Sequence, residues 1–356
     1  MTDVKIVDGK KSKRVGCLRW LGRVALGGVI LLLVLAATGA IYQSVASARD
    51  TKLYKPVDQM VDVDGIQMRL DCRGSGSPTV VLEAGAQSSG IFWVRIQDEV
   101  AEFTRVCSYD RAGYGWSDSV HETIYPEQVA DMLHSLLENG GEKPPYLMVG
   151  HSFGGIYIRL FTEKYPDEVV GMVLVDSSHE AQSQQVPPEL VDDYKKLEGA
   201  QSVSYRFLRI AEPMGLVRTL KMVDSIGSTF PEQEKGAVLA EVYRSGFMGA
   251  YTRETEMTST YSGQPGKLGD MPLIVLSQKW DVQKFRDMFL PTFQSQLTME
   301  RWQQEVDKVN EMQEELAALS SRGRRIVVED SGHYIQIDQP QVVIDAIRDV
   351  FEQVDR

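Results

Sequence analysis

An α/β fold built on a mostly parallel sheet, with a helical insertion and an apolar N-terminal helix, is what this chain predicts. Three observations carry that reading. Strand-like apolar runs alternate with helix-period segments over residues 59–177 and again from residue 272, which is the pattern of a parallel sheet flanked by helices. Between those blocks, residues 178–269 show helical spacing, no clear strand, and breaks at Pro187-Pro188, Pro213, Pro231 and Gly263–Gly266. And one apolar strand, Tyr146–Val149, runs directly into Gly150-His151-Ser152-Phe153-Gly154, a Gly-x-Ser-x-Gly turn followed by a helix-like run.

In chain order, residues 1–23 are basic. Lys5, Lys10, Lys11, Lys13, Arg14, Arg19 and Arg23 stand against Asp3 and Asp8, a net +5 within a chain of −12, so the remainder carries −17. An acidic body without a basic stripe argues against nucleic-acid binding. Val24–Tyr42 is 19 residues without a charge. As a helix it is roughly 28 Å long, close to a bilayer core, and it reads as a transmembrane helix or signal-anchor. The basic flank on its N-terminal side places residues 1–23 in the cytoplasm and the body outside. Ala46-Ser47-Ala48 keeps an alternative open, a signal peptide cleaved near Ala48, although the apolar run exceeds the usual ~7–15 residues of a signal core. Residues 43–58 read as a linker, with a polar tether from Ala48 to Asp58.

The body begins with alternating strands Gln59–Asp64 and Ile66–Cys72 around Asp64-Gly65, a hairpin signal. Thr79–Glu83 is a short β-branched strand ending at Ala84-Gly85-Ala86. Ile91–Phe103 has helical spacing, and Arg105–Tyr109 is a strand entering the glycine-rich loop Asp110–Asp118. Pro126–Asn139 is an amphipathic helix, Phe153 to about Tyr165 another, and Val169–Val175 an apolar strand. After the helical stretch come the strand Pro272–Ser277, the helix Thr298–Leu319, the strand Arg325–Glu329 and a closing helix Gln341–Glu352. The organisation is then a first core part at 59–177, a helical cap at 178–269 and a second core part at 270–356.

The chemistry centres on Ser152. A serine between two glycines on a strand-to-helix turn is forced to an unfavourable positive φ, which exposes its hydroxyl. A hydroxyl needs a base, and the base needs an orienting group. Of five histidines, His151 sits in the elbow as a packing residue, His134 lies in an amphipathic helix, and His121 and His179 lie in loops. His333, in Asp330-Ser331-Gly332-His333, follows the last strand at the sheet edge where open α/β folds place their sites, so it is the expected base. Asp281, just past Pro272–Ser277, is the first choice of acid. Asp176, just past the preceding strand, is the alternative, and Asp287 a third. The oxyanion donors are the backbone amides of Phe153 and of Ala86, with Gln87 second to Ala86.

These elements resemble the α/β-hydrolase superfamily, and most of all its bacterial, single-domain, cap-bearing serine hydrolases. The resemblance rests on the Ala84-Gly85-Ala86 turn, the Asp110–Asp118 loop, the Gly150–Gly154 elbow, the Asp281 position and Gly332-His333, and it covers about residues 60–356. It implies a mostly parallel eight-stranded sheet. One departure is that many relatives have His-Gly where Ala84-Gly85 stands. Ser rather than Asp in the elbow argues against haloalkane dehalogenase or epoxide hydrolase chemistry. In such a fold the strand of Cys72 lies beside that of Cys107, which supports a disulfide between them, the alternative being two buried thiols. Cys17 lies in the basic flank, and no cysteine spacing resembles a metal site.

The expected activity is cleavage of an acyl bond, most simply a carboxylic ester, through a Ser-His-Asp triad and an acyl-enzyme. No cofactor or metal is implied, and the partners are a small-molecule acyl substrate and the membrane. A peptidase or amidase, or a carbon–carbon hydrolase or lyase, can use the same residues. A catalytically silent, membrane-tethered binding protein is the reading from another class, and the presence of nucleophile, base and acids speaks against it. In the cap, Met214, Leu216, Met222, Phe230, Phe247, Met248 and Tyr251 are candidates for an acyl pocket or for plain cap core.

Overall fold

A computed structural model of the chain describes residues 11–55, 59–182, 188–289 and 297–354. The first ten residues of the basic segment, the last three of the expected linker and Pro187 lie outside them. The strands are β1 (Gln59–Val63), β2 (Ile66–Arg73), β3 (Thr79–Glu83), β4 (Val106–Tyr109), β5 (Tyr146–His151), β6 (Val169–Val175), β7 (Leu273–Gln278) and β8 (Gly323–Val328). They form an eight-stranded sheet in the order β1-β2-β4-β3-β5-β6-β7-β8. Only β2 runs against its neighbours; β4, β3, β5, β6, β7 and β8 are mutually parallel.

The helices are α1 (Lys11–Tyr54), α2 (Val94–Val100), α3 (Pro126–Asn139), α4 (Gly154–Lys164), α5 (Val191–Ala211), α6 (Leu216–Thr219), α7 (Asp224–Gly227), α8 (Glu232–Val242), α9 (Phe247–Thr260), α10 (Val282–Phe289), α11 (Met299–Ala317), α12 (Ile335–Asp338) and α13 (Pro340–Val354). The alternation of side chains along each parallel strand divides the core into two layers. On one face Met148 and Met172 pack with Leu133 and Leu137 of α3, Phe161 of α4 and Leu316 of α11. On the other, Leu147, Val149 and Val173 pack with Ile96 and Val100 of α2 and with Val343 and Ile347 of α13. Burying both faces explains why β3, β5 and β7 read as unbroken apolar runs.

Local chemistry accounts for the ends of these elements. Asp64 and Gly65 both take positive φ, 52° and 86°, which the two-residue turn between β1 and β2 requires. Thr298 caps α11, its hydroxyl oxygen accepting from the Arg301 amide at 3.2 Å. Cys72 and Cys107 stand directly opposite across the β2–β4 ladder and form a disulfide.

Three elements differ from expectation. The segment read as Ile91–Phe103 is split into a 3-10 turn, Gly90–Trp93, and the shorter α2. Residues 43–54, expected as a linker, continue α1, because nothing between Gln43 and Tyr54 is a proline or glycine that would stop it. Third, α10 occupies the connection after β7, where no helix was expected. Residues 19–54 are long and apolar enough to cross a membrane, and the apolar part of that helix is unburied by the rest of the chain. Between β6 and β7 the described residues contain α5–α9 and no strand.

The disulfide closes a sequence separation of 35 residues. Removing that constraint from the unfolded chain costs about 4 kcal/mol by loop-closure entropy. Denaturant unfolding of the Cys72→Ala/Cys107→Ala double variant is expected to lose about that much relative to the oxidised chain, with the unfolded wild type offering a single reactive thiol, that of Cys17.

Candidate active site

The elbow is dictated by how closely β5 and α4 approach. Ser152 has φ 51°, in the left-handed region that side chains rarely adopt. A Cβ on Gly150 would lie 2.8 Å from backbone atoms of Gly154 and Gly155, and one on Gly154 would lie 2.5 Å from the Ala84 carbonyl oxygen. The two glycines are therefore the condition for a strand, a tight turn and a helix to share this space. The Ser152 amide donates to the Val175 carbonyl at 3.0 Å, and the Ser152 carbonyl accepts from the Ser178 amide at 3.0 Å, so the ends of β5 and β6 are tied together at the serine.

His333 follows β8 and completes a line of three groups. Its Nε2 lies 3.0 Å from Ser152 Oγ, and its Nδ1 lies 2.7 Å from Asp176 Oδ2. The loop is held on both sides: His151 Nε2 lies 2.9 Å from the His333 carbonyl, and the Gly332 amide donates to Asp338 Oδ2 at 2.8 Å. Burial, reinforced by His333, lowers the His151 pKa to about 3, so this ring is neutral and its Nε2–H donates to that carbonyl.

The carboxylate paired with His333 is thus Asp176, the alternative, and the first expectation, Asp281, is corrected. Asp281 Oδ1 accepts from the amides of Gln283 at 2.8 Å and Lys284 at 3.0 Å. It caps α10, the helix not foreseen from sequence, and its charge faces that helix's amides. Asp287 is exposed and bonded to Gln283 and Arg286. Asp176 is held by β7 instead: Gln278 donates to it through its amide at 2.9 Å and its side chain at 2.8 Å. Burial opposes ionisation of Asp176, but His333 and the two Gln278 bonds outweigh it and hold the carboxyl below its ordinary value.

The turn after β3 is built around Arg111. Its guanidinium donates to the carbonyls of Ala84 at 2.8 Å and Gly85 at 2.6 Å, and pairs with Glu83 at 2.6 Å and Glu254 at 3.1 Å. Glu254 comes from the cap helix α9. Its other oxygen accepts from the Gln87 amide at 2.6 Å, and Gln87 takes φ 56°. The Gln87 amide is therefore already engaged, whereas among the described residues the amides of Ala86 and Phe153 donate to no protein acceptor. Arg111, Glu254 and Gln278 were not singled out from sequence. Arg111 carried a usable signal, a cation inside a glycine-rich loop at the sheet edge; Glu254 and Gln278 carried none.

Of the cap residues considered for an acyl pocket, Phe247 and Met248 belong to the cap's own core, with Tyr251 packed against it. Leu216 and Met222 face outward, and the Met214 carbonyl abuts α1 at Gly39. Phe230 joins the site side, its ring 4.7 Å from Phe92, which in turn lies 5.6 Å from Tyr334 beside His333.

Residues 80–346 match the model of the alpha/beta hydrolase family, three-quarters of the chain, and the chain belongs to that family. It is 26% identical over 296 residues to the uncharacterized protein YqjL of Bacillus subtilis, covering 83% of this chain and 92% of that one. Among solved structures it is similar to an esterase from Thermogutta terrifontis, at TM-score 0.56 and 17% identity over 83% of this chain and 97% of the esterase. It is also similar to an epoxide hydrolase variant from Bacillus megaterium, at TM-score 0.60 and 14% identity over 83% and 100%. Fold and family together make the chain an enzyme of the α/β-hydrolase class.

The elbow glycines offer a direct check. Gly154→Ala sets a Cβ against the backbone of Glu83 and Ala84, which cannot retreat without moving β3. A stability loss of about 1–3 kcal/mol is expected. Equal unfolding midpoints for the variant and wild type would count against this account of the turn.

Proposed function

We propose that the protein is a membrane-anchored serine hydrolase acting outside the cytoplasm, with a carboxylic ester as substrate. The observation that carries the reading is the uninterrupted chain Asp176–His333–Ser152, at 2.7 and 3.0 Å, on an elbow that exposes the serine. Ser152 Oγ attacks the acyl carbon while His333 Nε2 takes its proton. Asp176 accepts from Nδ1–H, fixing the imidazole tautomer and stabilising its charged form. The amides of Phe153 and Ala86 bind the oxygen on which negative charge develops. His333 then gives the proton to the leaving alcohol, and water activated by the same ring releases the acid. Serine at the nucleophile position supports acyl transfer over the chemistry of the epoxide hydrolases that share the fold. An ester needs no group beyond these.

The anchor reading is supported by α1. Its charge-free run, Val24–Tyr42, follows a basic segment, and Trp20 and Tyr42 bracket that run as exposed aromatics suited to the two membrane interfaces. The N-terminus is then cytoplasmic and the disulfide-bearing body lies outside, in a compartment where such bonds persist.

The test is covalent labelling by a fluorophosphonate probe, followed by kinetics on a short-chain aryl ester. Wild type is expected to label and Ser152→Ala to remain dark. Asp176→Asn is expected to lower kcat/KM by about 10³–10⁴-fold, the cost of a wrong tautomer. Asp281→Ala is expected to change kcat/KM by less than about threefold and to destabilise the chain by ~1 kcal/mol through the lost α10 cap. Equal labelling of wild type and Ser152→Ala would overturn the mechanism, and the reverse ranking of the two aspartates would overturn the assignment of the acid.

A further inference from the structure

The part of α1 beyond its apolar run is bolted to the cap. Gln43 is buried, donates to the Tyr243 carbonyl at 2.6 Å and accepts from Arg218 at 3.1 Å. Arg218 also pairs with Asp50 at 2.6 Å, a mostly buried bond between α1 and α6. One turn earlier the backbones meet. A Cβ on Gly39 would lie 2.1 Å from the Met214 carbonyl oxygen, and one on Gly215 would lie 2.6 Å from that of Gly39. Gly39 stands three residues before the end of the charge-free run, about 4.5 Å along the helix axis. If α1 spans a bilayer, the Met214-Gly215 loop is already at the level of the lipid boundary.

That loop adjoins an outward-facing apolar strip. On α5, Val203, Phe207 and Ile210 are 69%, 53% and 63% exposed, and their i, i+4, i+7 spacing puts them on one face. Leu220 and Met222, just past α6, are exposed beyond the loop. Exposed Arg206, Arg209 and Lys221 are interleaved with them. The lone acid of the interval 203–222, Glu212, is buried and spent on the amides of Gly246 and Met248. An apolar strip with a basic border, on a body of net charge −17, has the composition of a helix lying in a headgroup layer.

We infer that the cap segment Val203–Met222 docks on the bilayer crossed by α1, with Val203, Phe207 and Ile210 in the acyl boundary and Arg206, Arg209 and Lys221 among anionic headgroups. The inference rests on the reading of α1 as a membrane span. Its occupant is lipid, because the strip is continuous with the point where α1 leaves the apolar run. α5 also packs on α9, with Tyr205 and Tyr251 rings 5.5 Å apart. The same α9 carries Glu254 to the turn after β3, so the docked face is two side-chain layers from the site.

The test uses the full chain in lipid nanodiscs of phosphatidylcholine and phosphatidylglycerol, which leave both membrane faces open. In a Cys17→Ser background, nitroxide labels are placed singly at Phe207→Cys, Val203→Cys, Val29→Cys and Glu352→Cys, the last on α13, and collision with oxygen is compared with that of a water-soluble nickel chelate. The expected result is several-fold preference for oxygen at 207, 203 and 29, and for the chelate at 352. Chelate accessibility at 207 and 203 equal to that at 352, with 29 in lipid, overturns the docking and leaves the anchor standing. A water-accessible label at 29 removes the anchor and the docking together.

Discussion

Arg111 is the buried cation on which the geometry of the site depends. A guanidinium without solvent is costly to bury, and in Arg111 the two terminal nitrogens find acceptors while the buried Nε has none among the described residues. Here it meets two carboxylates, Glu83 from the core and Glu254 from the cap, and the carbonyls of Ala84, Gly85 and Ser88. Burial pushes the Glu83 carboxyl up to about 7 even though Arg111 and the Tyr109 hydroxyl act against that shift. For Arg111, burial lowers the pKa, but Glu254 and Glu83 more than reverse this, so the cation is secured by its partners. Three carbonyls of one short turn are thereby held toward the guanidinium. A peptide unit that turns its carbonyl one way turns its amide the other, and the free Ala86 amide lies within that turn.

The same interaction explains why cap and core behave as one site. Glu254 uses one oxygen for Arg111 and Tyr157 and the other for the Gln87 amide. An acid on a helix 143 residues from Arg111 in sequence therefore closes a network begun at β3. Gln87 is thereby set apart from Ala86: the Gln87 amide satisfies Glu254, whereas among the described residues the Ala86 and Phe153 amides donate to no protein acceptor.

Much of this was legible in the residues themselves. Period-two runs and Asp64-Gly65 located the hairpin. The alternation of elements located the parallel sheet, and Gly150, Ser152 and Gly154 located the elbow, because each of these features acts over a few residues. The acid was a different kind of question. Asp176 and Asp281 both follow parallel strands at the same edge, and what separates them is where their oxygens are spent. Asp281 has two local amides within three residues and becomes a helix cap, which requires α10 to exist. Asp176 has no such local outlet and is supplied by Gln278 from the neighbouring strand. That distinction depends on an eight-residue helix and a contact across 102 residues, neither of which leaves a periodic mark. The linker failed for the opposite reason. Polarity over residues 43–54 suggested a tether, but helix propagation needs only the absence of breakers, and Gln43 and Asp50 are polar because they face Arg218.

That last point changes what the proposed anchor would do. A flexible tether fixes only the distance of a catalytic domain from a membrane, whereas a continuous helix clamped to the cap fixes its orientation as well. On the proposed placement, the cap face set by Gly39, Gln43 and Asp50 is the face nearest the lipid. The route from there to Ser152 passes through α5, α9 and Glu254 without crossing the sheet. An acyl substrate dissolved in the bilayer would then meet the cap first, and the large cost of transferring a long acyl chain through water would fall away. On this proposal the clamp couples the anchor to the cap, and the Arg111–Glu254 network couples the cap to the proposed oxyanion turn. Selection on either contact would therefore act on the same property, the register between the membrane and the serine.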